Sequence, residues 1–500
     1  MLFFRRRNTV VIRPRAEHTI SRQQIAPEAL KVLYRLNEAG YKAYLVGGSV
    51  RDLLLGREPK DFDVGTDAQP REIRRLFRNC FLVGRRFRLA HVVFGDKVIE
   101  TSTFRRQPDD TVEVADESTP GALYQSSDNT FGTPEEDARR RDFTVNGLFY
   151  DIKTFDIIDY VDGLRDLDQR LLRMIGDPNV RLREDPVRMM RAVRLAARLD
   201  MTIEKKTYRA ICAHHAEIAQ ASPARVLEEI FRLFAFSTAS KTFKLLWQTR
   251  LMAALMPKLD HYVKHSGKEQ SPLWTLLDAL DALERQADEP FSNGLHLAVL
   301  AYPIFQAAVA QSAGSAGRNA NHLDLAEQCL ADFNNRFKVP KAVLFHAVHL
   351  LDDQQRLDAL PAPGRRIRPG RASEFADALR LARIRLAAGG GSVAVVDAWQ
   401  RLMPEAPGQG PARHGRPGPH PDAPREETRA TTLPADAGDT ARPPDGAEAP
   451  AHPAGGTEEA APGSAARKRR RRRGGRRHRH PSDEGGTSAA PAAPPPAGTE

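Results

Sequence analysis

"YLVGGSVRDLLLGREPKDFDV", residues 44–64, is the stretch on which the reading of this chain turns. An apolar run stops at Gly47 and Gly48. A short amphipathic segment carrying Arg51 and Asp52 runs to Gly56, and Asp61 and Asp63 then flank Phe62. The pattern predicts strand, tight turn, short helix, strand. Residues i and i+2 of a strand face one side, roughly 7 Å apart, so the two carboxylates converge on one small volume. Left bare at 4 Å they would repel by about 4 kcal/mol at an effective dielectric of about 20, a cost that a divalent cation removes. Magnesium favours one or two carboxylates completed by phosphate oxygens and water. A glycine turn that opens a helix offers backbone N–H groups and a positive helix end to an anion. Each feature alone has a plainer explanation, a solvated strand edge for one and a ligand-free turn for the other. Together they suit nucleoside triphosphate chemistry. Arg51 and Asp52 read as an ion pair bracing the helix against the turn.

Outward from this segment, 26–40 reads as a helix opened by Pro27 and closed by Gly40. "DFDVGT" (61–66) reads as a strand and 70–79 as a helix. "FLVG", "AHVVFG" and "VIETSTF" read as three more strands. The expected class is α+β: a mixed sheet with helices on one side, followed by an all-α region. Residues 107–133 form a polar insert, expected to be a mobile loop. A short strand pair is expected around 149–159. From 163 to about 400 the chain is nearly all amphipathic helix. After about 404 the composition turns to Pro, Gly, Ala, Glu and Arg, too poor in large apolar residues to offset its ordering entropy.

Five hundred residues exceed one ordinary domain. The net charge of +11 is concentrated in 467–480, "RKRRRRRGGRRHRH", with ten Lys/Arg and no acid. A polyanion is the natural partner of such a run, which a nuclear-localisation role would also satisfy. Cys80, Cys212 and Cys329 are far apart and form no C-x-x-C, so neither a disulfide framework nor a zinc knuckle is indicated. No apolar run approaches the roughly 18 residues needed to span a bilayer, and a cytoplasmic location is expected. The start, "MLFFRRRNTVVIRPR", lacks an apolar core of signal-peptide length.

Further motifs stand in order: "RRRDFTVNGLFY" (139–150), "DYVDGLRDLDQRLLRMIGDP" (159–178) and "REDPVRMMRAVRLAARL" (183–199). With the opening segment they resemble the class II nucleotidyltransferases, the tRNA nucleotidyltransferase/poly(A) polymerase family, over roughly residues 20–250. The resemblance implies a two-metal Mg²⁺ mechanism with Asp61 and Asp63 as metal ligands. It implies Glu100 as a third carboxylate, which could otherwise be an exposed strand residue, and Asp142 among the catalytic acids. It assigns Gly47, Gly48, Arg51, Arg141 and Asn146 to binding the nucleotide. Glu184, Asp185 and Arg188 would read its base from protein side chains, with Arg191 also among the nucleotide-binding residues. Arg188, Arg191, Arg194 and Arg198 share a helix face by their spacing, which is either a wet surface or a row facing phosphates and base.

The implied layout is a flexible lead-in (1–20), a catalytic head (21–162), a helical nucleotide-recognition neck (163–250), a helical RNA-binding body (251–403) and a disordered tail (404–500). "LVGRRFRLAHVVFG" and "DNTFGTPEEDARRRDFTVN" lean toward the poly(A) branch, and the basic tail suits an RNA of no fixed shape. ATP would then be the substrate and RNA 3′ ends the acceptor, in a monomer that meets the RNA-degradation machinery. The CCA-adding branch is the alternative, and an RNA-binding protein on a retired transferase scaffold is a reading from another class. Ser49 and Gly147 depart from the family's usual small residues.

Overall fold

A proline at the first helical position gives up an N–H that would have lacked a partner. Pro27 opens α1 (Pro27–Glu38) in this way, after the short strand β1 (Val11–Arg13). Ala29, Val32, Leu33 and Leu36 recur at helical spacing along α1 and are buried. There follow β2 (Ala43–Val46), α2 (Gly48–Leu54), β3 (Asp63–Thr66) and α3 (Pro70–Leu76), then three strands, β4 (Cys80–Val83), β5 (Leu89–Phe94) and β6 (Lys97–Thr103). After them come α4 (Pro134–Arg140), β7 (Leu148–Asp151), β8 (Ile157–Asp159) and α5 (Gly163–Asp168). The computed structural model describes residues 10–84, 89–106, 130–314, 321–362 and 372–403. The tail after 403 and all but the last residues of the polar insert lie outside them.

The eight strands form one sheet in the order β1-β8-β7-β2-β3-β6-β5-β4. The β3–β6 pair is parallel and every other pair is antiparallel. Alternation along the strands sends Val64, Ala90, Val92 and Ile99 to one face, into the main core that includes Val32, Leu33 and Leu36 of α1. On the other face a second, smaller cluster of Val46, Phe104, Ala138, Phe149, Val161 and Ile175 covers only part of the sheet.

Beyond the sheet the chain is helical, apart from the two-residue strands β9 (Leu171–Leu172) and β10 (Thr202–Ile203), which pair in parallel. Helices α6 (Pro178–Glu184) and α7 (Val187–Leu199) lie between these two, and α8 (Lys205–His214), α9 (Pro223–Arg232), α10 (Ala239–Gln248), α11 (Leu251–Leu255) and α12 (Pro257–His265) follow. The remaining body is α13 (Pro272–Glu284), α14 (Asn293–Gly314), α15 (His322–Phe337), α16 (Lys341–Arg356), α17 (Ala372–Ala388) and α18 (Ala394–Gln400).

Three expectations are corrected. The lead-in is not loose from residue 11 onward, because β1 pairs with β8 and buried His18 places Nε2 2.8 Å from the Phe155 carbonyl oxygen. Asp61 lies just outside its strand, since β3 begins at Asp63. Finally, residues 293–312 of α14 are long and apolar enough to cross a membrane by composition, contrary to the expectation that no such run exists. In the fold this helix packs against α15, α16 and α17, and more than half of it is buried, the behaviour of a core helix.

Candidate active site

Strand register builds the acidic edge. Val46 on β2 stands opposite Asp63, the first residue of β3. On the other side, Val64 pairs with Thr101 of β6, which sets Glu100 beside Asp63. Asp61 is exposed and precedes the strand. Burial pushes Asp63 up to about 6; the charges of Glu100 and Asp61 add to the rise, while Arg141 opposes it. The four charged groups are therefore near enough to feel one another. Neither Asp61 nor Asp63 takes a hydrogen bond or an ion pair from any described side chain. Glu100 has one neighbour of opposite kind, His91, whose Nε2 is 3.8 Å from its Oε1.

Among the described residues no three carboxylate or imidazole groups close into a metal cage. What exists instead is an open edge of two neighbouring aspartates with Glu100 alongside. Such an edge fits magnesium, which keeps positions for water and phosphate oxygens rather than accepting an all-protein cage. Of the three acids only Asp63 is partly buried, and it is the one whose pKa is pushed up.

The glycine turn works differently from expectation. Gly47 adopts φ +76°, open to glycine at little cost. Its N–H is already donated to the Leu148 carbonyl oxygen at 3.2 Å, so Gly47 has no amide left for a phosphate. Its second reason is space, because a Cβ there would lie 2.8 Å from Arg141 Nη1. Gly47 thus lets the Arg141 guanidinium lie against the turn. Asp137, one helical turn earlier on α4, holds that guanidinium at 3.0 Å, and Phe149 lies under it with the ring centroid 5.5 Å away. Gly48 begins α2 and touches Arg51 from the other side.

Arg51 is buried. Its Nε donates to Asp52 Oδ1 at 2.9 Å, and its Nη1 donates to the Asn146 side-chain oxygen. The amide of Asn146 passes the connection on, with Nδ2 donating to Asp142 Oδ1 at 2.9 Å. Arg191 donates twice to the other Asp142 oxygen, at 2.9 and 2.6 Å. At the far end Arg198 Nη2 donates to Asp52 Oδ2 at 2.9 Å. The result is a closed circuit, Arg198–Asp52–Arg51–Asn146–Asp142–Arg191, whose two ends sit two turns apart on α7, about 10 Å along its axis. Burial alone would raise the Asp142 pKa. The Arg191 charge, with hydrogen bonds from Asn146, Arg191 and the Phe143 N–H, outweighs it and holds the group at about 2.

Arg51 and Asn146, expected to touch nucleotide, are hydrogen-bonded to each other and to Asp52 and Asp142. Asp142 likewise has both oxygens engaged, one by Asn146 and the other by Arg191. The arginine row is a set of internal clamps rather than a wet face: Arg188 donates to Glu184 at 3.0 Å, Arg191 to Asp142, Arg194 to Glu229 of α9 at 2.5 Å, and Arg198 to Asp52. Asp185, at the break between α6 and α7, pairs with Arg225 at 2.8 Å. Glu184 also accepts from Arg181 at 2.6 Å.

Arg181 is a residue that the sequence motifs did not single out. It is buried in α6 and reaches back to the Arg140 and Arg141 carbonyl oxygens, tying the neck to the segment that carries Arg141. Asp166 is another. It accepts from the Thr144 hydroxyl at 2.7 Å and from Arg173 at 2.9 Å, and so steadies the turn that bears Asn146. An i, i+3 Arg–Glu pair could have flagged Arg181; nothing local could have flagged the carbonyls it meets.

Residues 43–173 match the family described as "Poly A polymerase head domain", and residues 200–263 match "Probable RNA and SrmB- binding site of polymerase A". Poly(A) polymerase I of Escherichia coli is 44% identical over 320 residues, 62% of this chain and 67% of that protein. The chain belongs to the tRNA nucleotidyltransferase/poly(A) polymerase family. Within it, poly(A) polymerase I of Salmonella typhi is 49% identical over 263 residues, 52% of this chain and 56% of that one. A CCA-adding enzyme of Lactobacillus gasseri is 35% identical over 274 residues, 51% of this chain and 63% of the enzyme. Among solved structures, the Bacillus stearothermophilus CCA-adding enzyme in complex with CTP superposes with a TM-score of 0.53 at 26% identity, covering 76% of this chain and 82% of that one. The sheet with a helical continuation is thus the family's nucleotidyltransferase fold.

Proposed function

We propose that this chain transfers AMP from ATP to RNA 3′ ends without a template, releasing pyrophosphate and building poly(A) tails that promote RNA turnover. The observation that carries the reading is the bare, mutually repelling pair Asp61 and Asp63 beside Glu100, set next to a glycine turn that an arginine occupies. Asp61 and Asp63 would hold Mg²⁺, which when bound supplies the charge that activates a 3′-hydroxyl and steadies departing pyrophosphate. Arg141, pressed against Gly47, is the cation placed to meet the triphosphate. The circuit through Asp142 and Arg191 fixes the segment carrying Arg141 and Asn146 against α7, so the site is preorganised before substrate arrives. Asp185 and Arg188, at the junction of α6 and α7, form the proposed base reader, oriented by Arg225 and Glu184.

Adenylyl transfer is favoured over CCA addition by the higher identity to poly(A) polymerases, 44–49% against 35%. The basic run at 467–480 supports RNA as acceptor through counterion release. Purified protein with Mg²⁺, a short unstructured RNA and each nucleotide in turn tests the reading. A long ladder with ATP alone supports it; addition that needs CTP and stops after C, C and A on tRNA overturns it.

A further inference from the structure

The sheet face that carries the acids is closed on one half only. Over β2 and β7 the cluster built on Val46, Phe104 and Phe149 covers it. On β4 and β6 the same face carries exposed apolar side chains, Phe81 63%, Val83 46% and Val98 47% exposed, with His91 of β5 partly exposed between them. Single exposed apolar residues are ordinary, but three on one face of the two strands that flank β5 make a patch that asks for an occupant.

Register shows where the patch leads. Phe81 of β4 pairs with His91 of β5, and His91 pairs with Glu100 of β6. Glu100 lies beside Asp63, one position before the Val64–Thr101 pair. Cross-strand partners face the same side, so Phe81, His91, Glu100 and Asp63 form one straight row over four strands. At the usual spacing of neighbouring strands the row is roughly 14 Å long. It starts on an exposed aromatic ring at the sheet edge and ends on the acid placed to hold the metal.

We propose that Phe81 and His91 seat the last nucleotides of the acceptor RNA, just upstream of the reacting 3′-hydroxyl. The inference rests on the reading given under Proposed function. The acceptor must arrive at Asp63 across some surface, and the opposite direction along this face is filled by Phe104 and Phe149. A π-face suits an acceptor whose sequence is not fixed, since every base can stack on an aromatic ring. His91 occupies the position between the two: its ring follows Phe81 in the row, and its Nε2 lies 3.8 Å from Glu100 Oε1. A protein docking on the β4 edge would use the same apolar residues, but it would give no reason for the row to run into the acids.

The test uses the full chain with Mg²⁺ and short single-stranded RNAs carrying 5-iodouridine at the second, third or tenth position from the 3′ end. Irradiation should cross-link Phe81 or His91 from the near positions and not from the tenth. Phe81→Ala should raise KM for RNA roughly five- to hundredfold, with KM for ATP, kcat at saturating RNA and the melting temperature unchanged. Phe81→Trp should restore the parent KM. Cross-links confined to other segments, or an unaltered RNA KM in Phe81→Ala while the parent extends RNA at full rate, would overturn the seat and leave the transferase reading standing. Loss of self-association in Phe81→Ala without a change in RNA KM would make the patch a protein surface instead. If the parent extends no RNA with any nucleotide, both the reading and the seat fall.

Discussion

Asp63 and Asp142 are both partly or wholly buried acids, and the fold treats them in opposite ways. Asp63 opens a central strand of the sheet, where burial and the like charges of Glu100 and Asp61 push it up to about 6. Asp142 sits between the head and α7, clamped by Arg191 and Asn146, and is held at about 2. The first region carries a charge that burial first, and two like-charged neighbours second, disfavour. The second is satisfied from within and serves as a fastening. Perturbed carboxylates are thus not equivalent: one has no described side-chain partner, and the other is paired from within.

The comparison breaks most visibly at Asp63. Asp63→Asn should lower the rate of nucleotide addition by roughly four orders of magnitude, about 5 kcal/mol of transition-state stabilisation. It should not lower the melting temperature of the metal-free protein. If the variant adds nucleotides at the parent rate, the metal-holding role of the edge is wrong. On the other side, Arg191→Ala leaves Asp142 buried beside a lost partner and should cost about 3 kcal/mol of unfolding free energy, measured by denaturant titration. An unchanged midpoint would mean that the circuit fastens nothing.

The smallest effect sharpens the contrast through pH. The Asp63 pKa is higher folded than its ordinary value of 3.8. The metal-free fold therefore carries the cost of its charge above about pH 6 and sheds it as pH falls from 6 to 3.8. Asp63→Asn should stabilise the metal-free protein by roughly 1–2 kcal/mol at pH 8, discounted for partial exposure, and by nothing at pH 4. Asp142 has the opposite sign: its contribution is whole above 3.8 and is lost as pH falls toward 2. Melting curves of parent and variant across this range read both, and a gain that grows on acidification would reverse the assignment.

Much of the site is legible in the sequence. Gly47, Gly48, Asp61 and Asp63 stand within one turn–helix–strand unit, so local spacing nearly suffices to bring them together. The sequence is silent where a partner comes from far along the chain. Arg191, Arg194 and Arg198 have the spacing of groups that face phosphates, yet they and Arg51 meet Asp142, Glu229, Asp52 and Asn146, 35 to 146 residues away. Arg181 is silent in the sequence for the same reason, since the carbonyls it meets are 40 and 41 residues back.

By itself the sequence determined the element types, the acidic pair, the glycine turn and the basic appendage, because each depends on neighbours along the chain and on side-chain periodicity. Only the tertiary structure decided which charges are spent inside the protein and which are offered to a ligand. It alone showed that Gly47 has given its N–H to Leu148, and that one half of the acidic face is closed by Phe104 and Phe149 while the other stays open. The reason is that ion pairing and covering are settled by groups distant in sequence, whose approach the strand register and helix packing fix together.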